Sequence, residues 1–258
     1  MTQPSDAAKP RVAVAIPCYN EAAAIALVVA QWRQALPDAE LLIFDNHSSD
    51  GTGDLARALG VRVVEVPEQG KGHVVRAIFA TLFDRDAVVL VDGDGTYPAE
   101  YAGRLLEPIL ADKADMTVGA RRPVAEAGAM TAVRGFGNLL IGFSFRLLIG
   151  SGTGDLLSGY RVFGPRFLRR ISPRSHGFEI ETELASEAVA QRMRVIETPV
   201  PYHPRIAGTT SKLRAFRDGR RILTTILVQS MRLRPWRLVL VVASLALVIG
   251  LIVSFKRP

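Results

Sequence analysis

The sequence predicts an α/β fold with a mainly parallel sheet covered by helices, and three observations support this prediction. Short runs rich in β-branched residues alternate with stretches of helical periodicity. The run at residues 87–91 is apolar throughout, as in a strand that is buried on both faces. An acidic, glycine-rich segment at 92–98 follows that strand directly. Ligands of open α/β sheets bind beyond the carboxyl ends of the strands, so this segment is a candidate site.

The predicted elements follow one another through the first half of the chain. Strands are predicted at residues 12–16, 41–44, 61–66, 87–91 and 116–118. Helices are predicted at residues 21–36, 51–59, 71–83 and 98–111. The alternation fades after about residue 120, and we expect residues 11–213 to form one α/β domain. Residues 1–10 are polar, lack the apolar core of a signal peptide and are expected to be disordered.

The apolar stretch at residues 135–149 is interrupted by Arg146 and predicted to be a helix. Two interpretations remain open. The helix lines the substrate side of the domain or contacts a membrane, or it is an ordinary core helix.

Asp92 and Asp94 stand one residue apart at the end of the 87–91 strand. Alternate strand residues point to the same side, and the neighbouring glycines let the backbone bend around a ligand. Two carboxylates placed in this way suit Mg²⁺ or Mn²⁺ carrying a diphosphate. An acidic turn that merely closes a strand is the alternative interpretation.

Two further loops follow predicted strands. In the first loop, Tyr19 can stack on a base, and Glu21 offers a polar contact near a helix N-terminus. In the second, Asp45 is placed to accept hydrogen bonds from a base or ribose. Asp50 and Thr52 are interpreted as helix caps.

The net charge of +7 fits nucleic acid, anionic lipid or phosphorylated substrates. Basic residues are concentrated between 205 and 237, directly before the uncharged run 238–255, which favours a membrane surface over nucleic acid. Residues 238–255 would span about 27 Å as a helix and are predicted to be transmembrane, with a buried core helix as the alternative. The preceding positive charge favours a cytoplasmic domain, and the single cysteine, Cys18, agrees with that location. A single span is compatible with a homo-oligomer.

Residues 214–237 are predicted to form a basic amphipathic helix at the membrane surface. Arginines would reach lipid headgroups, and the residues expected to face lipid are Phe216, Ile222, Leu223, Ile226 and Leu227. The alternative is an amphipathic helix that packs on the domain.

Together, several ordered segments resemble the family 2 inverting glycosyltransferases, whose GT-A fold is Rossmann-like. They are PCYNE at 17–21, DNHSSDGT at 45–52, GKG at 70–72 and DGDGTYP at 92–98. Downstream segments at 155–161, 177–184 and 201–213 resemble the branch that contains dolichyl-phosphate mannose synthases and bacterial polyprenyl-phosphate glycosyltransferases.

The resemblance implies a nucleotide-sugar donor, a polyprenyl phosphate acceptor, and a role for each matching residue. Those expected to hold the nucleotide are Pro17, Tyr19, Glu21 and Asp45. Asp92 and Asp94 would bind the metal and the diphosphate, whereas Arg121 and Arg134 would contact the acceptor phosphate. Arg205 and Lys212 would approach phosphate on a loop beside the donor. A solvated surface cation is the alternative for each arginine.

Glu179 and Glu181 have three open interpretations: contacts to donor hydroxyls, a base for a hydroxyl acceptor, or a structural ion pair. Lys71, between two glycines, either contacts phosphate or belongs to a turn.

Hexose transfer to polyprenyl phosphate at the cytoplasmic membrane face is therefore the expected function. The acceptor needs no strong base, because the second pKa of a phosphate monoester is about 6. Three other functions remain open: glycosylation of a saccharide or diacylglycerol hydroxyl, nucleotidyl transfer, and binding of nucleotide or lipid without catalysis.

Overall fold

The computed structural model describes residues 9–123, 132–150, 153–210, 212 and 215–255. The first half of the chain contains β1 (Val12–Cys18), α1 (Ala22–Ala35), β2 (Glu40–Asp45), α2 (Thr52–Ala58), β3 (Arg62–Glu65), α3 (Lys71–Leu82), β4 (Ala87–Leu90), a 3-10 turn (Ala99–Tyr101) and α4 (Ala102–Leu110). The second half contains β5 (Met116–Pro123), α5 (Ala132–Leu148), β6 (Arg161–Phe163), α6 (Pro165–Arg170), α7 (Ile180–Ala190), β7 (Val195–Tyr202), α8 (Ala215–Leu233) and α9 (Pro235–Phe255).

Within this part of the chain, seven strands form one sheet in the order β3-β2-β1-β4-β6-β5-β7. All neighbouring strands are parallel except β6, which runs antiparallel to both β4 and β5. The predicted sheet is thus confirmed as mainly parallel. Strands β6 and β7 were not predicted, because the regular alternation of elements is lost after β5.

Both faces of the sheet are covered, as the apolar strands indicate. On β1, Val14 and Ile16 pack into the core beneath α1 and α4. Ala13 and Ala15 point to the opposite core, beneath α3, α6 and α7. This alternation follows from the two-residue period of a strand.

Helix α8 packs on the domain, which corrects part of the lipid-facing prediction. Ile222 and Ile226 are buried in a small core with residues of α5 and α7, because an amphipathic helix beside the domain turns its apolar stripe inward. The expectation that these two residues face lipid is therefore wrong. Phe216, Leu223 and Leu227 are exposed, with Phe216 at 92%. Helix α8 thus packs one apolar face against the protein, whereas a second set of apolar side chains on the same helix is exposed.

Part of helix α5 is a core helix, as one of the two interpretations of the 135–149 stretch expected. Ile141 and Phe145 lie in the core shared with α8, whereas Leu139 and Phe143 are exposed.

No helix is found, in the described ranges, that is both long and apolar enough to cross a membrane. The transmembrane helix predicted at residues 238–255 is not confirmed and stays a prediction.

Candidate active site

The three predicted strand-end loops meet at one edge of the sheet. Cys18 at the end of β1 pairs with Asp45 at the end of β2, and the Asn46 amide donates to the Cys18 carbonyl over 2.8 Å. On the other side of β1, the Val91 amide donates to the Ala15 carbonyl over 3.2 Å. Because these strands run parallel, their carboxyl ends bring segments 17–21, 45–52 and 92–98 together.

A cleft of about 1490 Å³ opens at this edge. It is lined by nine of the twelve predicted site residues: Pro17, Tyr19, Glu21, Asp92, Asp94, Arg121, Glu181, Arg205 and Lys212. The structure therefore assembles most of the predicted residues around one space.

Lys71 forms the centre of a buried charge cluster in this cleft. Its Nζ donates to Asp92 Oδ1 and to Glu181 Oε1, each over 2.6 Å. The side chains of Lys71 and Glu181 are only 9% and 5% exposed. Burial alone would lower the pKa of Lys71, but Asp92 and Glu181 hold it above its ordinary value. Burial raises the pKa of Glu181, although Lys71 opposes that effect.

Close backbone contact places Glu181 beside Lys71. The Gly72 amide at the start of α3 donates to the His176 carbonyl over 3.0 Å. A β-carbon at Gly72 would lie 2.1 Å from the Ser175 carbonyl oxygen. Glycine at this position thus lets the segment before α7 rest directly on the first turn of α3.

Asp94 is held in a fixed orientation. Its Oδ1 accepts hydrogen bonds from the Thr96 amide over 3.0 Å and from the Thr96 hydroxyl over 2.6 Å. Its Oδ2 lies 2.7 Å from Nη2 of Arg205, which follows β7. Burial, with repulsion from Asp92, raises the pKa of Asp94 despite the opposing effects of Arg205 and Thr96.

Glu21 has an unsatisfied carboxylate oxygen in the cleft wall. Its Oε2 is buried and, among the described residues, has no hydrogen-bond partner. The pKa of Glu21 is raised to about 7, chiefly by burial; Lys212 opposes this increase and Asp94 adds to it. Lys212 Nζ lies 4.0 Å from Glu21 Oε1 and 5.8 Å from the ring centre of Tyr19. A donor group of a bound ligand would satisfy this oxygen.

Arg121 is already paired with a carboxylate. Its Nε and Nη2 donate to the two oxygens of Asp155 over 2.8 and 2.7 Å, and its guanidinium lies 5.5 Å from the ring centre of Tyr202. This bidentate pair lowers the pKa of Asp155, although burial opposes the effect. The pair fixes the direction of Arg121 on the cleft wall.

The fully buried Arg161 supports the segment that carries Asp155. Its Nε donates to the Ser158 carbonyl over 3.1 Å and its Nη2 to the Leu156 carbonyl over 2.7 Å. Gly159 in the same segment lies against Asp92, so close that a β-carbon there would be 2.2 Å from Asp92 Oδ2. Arg161 therefore shapes the wall around the acidic pair without facing the cleft.

Of the remaining three predicted site residues, Asp45 and Glu179 do not line the cleft. Asp45 is buried at the end of β2, where its Oδ1 accepts from the Ser48 amide over 3.2 Å. Glu179 Oε1 accepts from the Gly177 amide over 3.0 Å at the start of α7. Arg134 lies on α5, but its side chain is outside the described residues.

Sequence reasoning missed the partners that connect distant parts of the chain. The Lys71–Glu181 contact and the Arg121–Asp155 pair were not predicted, although both Lys71 and Asp155 lie in segments that carried the family resemblance. Asn46 was also missed: its Oδ1 accepts from the Gly70 amide over 2.7 Å and thereby positions the start of α3.

The acidic pair fits a divalent cation that also binds substrate oxygens. Within the described ranges, no group of three or more His, Cys, Asp or Glu residues could hold a metal by itself. Asp92 and Asp94 can supply two oxygen ligands, and Mg²⁺ normally completes its shell with water and substrate phosphates. Repulsion between these carboxylates contributes to the raised pKa of Asp94, and a cation between them would relieve it.

Comparison with known proteins finds relatives that match most of this chain. The sequence profile described as Glycosyl transferase family 2 matches residues 13–162. Glycosyltransferase AglJ of Haloferax volcanii is 36% identical over 208 residues, which cover 81% of this chain and 68% of that protein. The dolichyl-phosphate hexose transferase of the same organism is 31% identical over 208 residues, covering 81% and 89%.

A solved structure shows the same fold at low sequence identity. Glucosyl-3-phosphoglycerate synthase from Mycobacterium tuberculosis, in complex with Mn²⁺, UDP-glucose and phosphoglyceric acid, aligns with a TM-score of 0.67. The sequences are 21% identical, and the alignment covers 86% of this chain and 80% of that chain. The predicted GT-A-like sheet with flanking helices is confirmed. Since the family profile covers more than half of the chain, this protein belongs to glycosyl transferase family 2.

Proposed function

We propose that this glycosyltransferase transfers one hexose, with inversion, from a nucleotide-diphosphate sugar to a polyprenyl phosphate. One observation carries the proposal: the acidic pair Asp92 and Asp94 shares a single cleft with an apolar groove between α5 and α8. The apolar side chains along this groove include Leu140, Ile141, Leu148, Leu157, Leu223 and Leu227. An acceptor with a phosphate head and a hydrocarbon chain matches such a surface. The relative named dolichyl-phosphate hexose transferase supports this acceptor class.

The donor would bind at the strand ends. Tyr19 offers an aromatic face, and the buried Glu21 oxygen offers an acceptor for a ligand N–H or O–H. Arg205 and Lys212 lie beside the carboxylates and would neutralise diphosphate charge as the leaving group departs. The related structure that contains UDP-glucose supports a nucleotide-sugar donor.

We propose that Asp92 and Asp94 hold Mg²⁺ or Mn²⁺, which would stabilise the negative charge that develops on the diphosphate. The Mn²⁺ in the related structure supports this cofactor. The Arg205 contact with Asp94 keeps that carboxylate directed toward the cleft.

The acceptor phosphate would act as the nucleophile. Its oxygen attacks the anomeric carbon, the bond between that carbon and the diphosphate oxygen breaks, and a nucleoside diphosphate leaves. No strong base is required, because a phosphate monoester with a second pKa of about 6 is mostly dianionic at neutral pH. Glu181 is held by Lys71, which favours this acceptor over a hydroxyl that needs a carboxylate base. Arg121 and Arg134 are proposed to contact the acceptor phosphate.

We also propose that the enzyme works at the cytoplasmic face of a membrane. Exposed apolar side chains are grouped on the three helices that pack together beside the cleft: Leu139 and Phe143 on α5, Phe216 on α8, and Trp236 and Val239 on α9. Arginines on α8 and α9 lie among them and suit anionic headgroups. Cosedimentation with vesicles of phosphatidylcholine and phosphatidylglycerol tests this location, and equal binding by Phe216→Ser would count against the role of that surface.

The reaction is tested with purified protein in detergent, radiolabelled nucleotide sugars, polyprenyl phosphate and Mg²⁺ or Mn²⁺. We expect a metal-dependent lipid product whose anomeric configuration, read by NMR, is opposite to that of the donor. Asp94→Asn should lower the rate by about 100-fold or more, since it removes one of the two carboxylates proposed to hold the metal ion beside the diphosphate. Asp38→Asn is the matched control, because Asp38 is exposed and pairs only with Lys9 among the described residues. Wild-type lipid turnover by Asp94→Asn, or transfer to hydroxyl acceptors alone, would refute the proposal.

A further inference from the structure

A second cavity, of about 300 Å³, lies between α7, the start of β7 and the corner that joins α8 to α9. It shares no lining residue with the main cleft. Its polar lining consists of Thr153, Arg192 and Arg234, and the remaining wall is apolar. Sites for small molecules start at about 300 Å³, so this space is large enough for a small polar group.

Thr153 lines this cavity and has an unsatisfied hydroxyl. The residue is 5% exposed, and its Oγ1 is buried without a hydrogen-bond partner in the part of the chain that the structure describes. Buried hydroxyls in folded proteins normally have a partner, because the lost hydration is otherwise not replaced. A ligand oxygen in the cavity would provide that partner.

Arg192 occupies a backbone position that favours glycine. It lies two residues after the end of α7 and has a φ of 50°. The next amide, of Met193, donates to the Ala188 carbonyl over 2.9 Å. Glycine commonly fills this left-handed position after a helix, because it has no β-carbon to cause strain. An arginine here lines the cavity at a cost in backbone strain, and functional sites are among the places where such strain is found.

Arg234 supplies a second cation from the α8–α9 corner, where its guanidinium also lies beside Gly150, two residues after α5. Across the described ranges, neither Arg192 nor Arg234 forms an ion pair with a carboxylate. Both positive charges are therefore available to an anion.

We propose that this cavity binds a phosphate group, with Arg192, Arg234 and the Thr153 hydroxyl contacting its oxygens. Guanidinium groups form strong charge-assisted hydrogen bonds with phosphate, and the hydroxyl can donate a further bond. The phosphate comes either from free phosphate in solution or from a phospholipid headgroup, and the apolar wall suits the part of such a headgroup next to the phosphate. This inference does not depend on the reaction proposed for the main cleft.

The test is isothermal titration calorimetry of the full chain in detergent at constant ionic strength, with inorganic phosphate as the first probe. Arg192→Gly should lower the affinity of the cavity for phosphate by at least about tenfold, and Thr153→Val should lower it by about fivefold. Arg192→Gly also removes the backbone strain, so the variant is expected to fold. Arg169→Gln is the control, because Arg169 is an exposed arginine on α6 outside the cavity.

The second probe, short-chain phosphatidylglycerol, identifies the source of the phosphate. Displacement of phosphate by this lipid in the wild type, but not in Arg192→Gly, assigns a headgroup site. Phosphate binding without displacement assigns a site for free phosphate. The proposal is overturned if the wild type binds neither probe at the cavity, or if Arg192→Gly and Thr153→Val match the wild type in affinity and stoichiometry.

Discussion

Replacement of Lys71 by methionine keeps the aliphatic stem of the side chain and removes the charge that lies between Asp92 and Glu181. Nζ of Lys71 is 2.6 Å from an oxygen of each carboxylate, so the variant leaves two acidic groups without their common partner. Loss of one partner from a buried ion pair costs about 3–5 kcal/mol. Asp92 is 28% exposed and can be hydrated in part, so we expect the lower limit, about 3 kcal/mol.

The stability lost in Lys71→Met should depend on pH in a defined direction. Burial raises the pKa of Glu181 even with Lys71 present, and the variant removes the charge that opposes this increase. A carboxyl whose folded-state pKa lies above its unfolded value of about 4.3 favours folding when protonated and disfavours it as pH rises through the folded pKa. Lys71→Met should therefore be less destabilised at about pH 5 than at about pH 8.

The assay is guanidinium chloride unfolding, followed by circular dichroism, for the wild type and three variants. Lys113→Met is the control: Lys113 is exposed, and its replacement should change the free energy of unfolding by less than about 0.5 kcal/mol. Adding Glu181→Gln to Lys71→Met should recover about 1 kcal/mol or more, because one unpaired charge is removed. The reasoning is refuted if Lys71→Met behaves like Lys113→Met, or if the double variant is no more stable than Lys71→Met.

Three further predictions concern other parts of the site. In the wild type, stability should fall by about 3 kcal/mol as pH rises from about 4.5 through the Glu21 pKa of about 7, and Glu21→Gln should remove this loss. Thermal unfolding across this pH range measures the effect, and unchanged pH dependence in the variant would contradict the assignment. Gly72→Ala should destabilise the fold by about 3 kcal/mol or more, since its β-carbon would meet backbone atoms. Gly103→Ala on α4 has open space around the added β-carbon and should stabilise the fold by up to about 1 kcal/mol. Chemical unfolding compares the two variants, and equal effects would refute the packing argument. Asp155→Asn should weaken the bidentate contact to Arg121 and cost about 2 kcal/mol in unfolding experiments, and a neutral result would show that the pair does not stabilise the fold.

The alternation of strands and helices was sufficient to predict the first five strands and the position of the acidic pair. The predicted strand at residues 87–91 corresponds to β4, which is Ala87–Leu90, and Asp92 and Asp94 follow it as expected. Both features depend on residues close together in the chain, so periodicity and turn residues reveal them. The antiparallel β6 has only three residues, too few to show a period.

The side of α8 that faces the protein could not be read from its sequence. Ile222 is buried and Leu223 is exposed, although both are apolar residues on the same helix. An amphipathic pattern shows that one face prefers an apolar environment, but it does not distinguish lipid from the neighbouring helices α5 and α7.

By itself, the sequence determined the fold class, the family and the strand-end position of the candidate diphosphate site, because each of these is encoded in local pattern or in ordered motifs. Only the tertiary structure decided which charges compensate one another in the cleft. Lys71 and Glu181 are 110 residues apart, and Arg205 reaches Asp94 from the segment after β7. Such contacts depend on strand order and helix packing, which bring distant residues together, and on burial, which makes an unpaired charge costly.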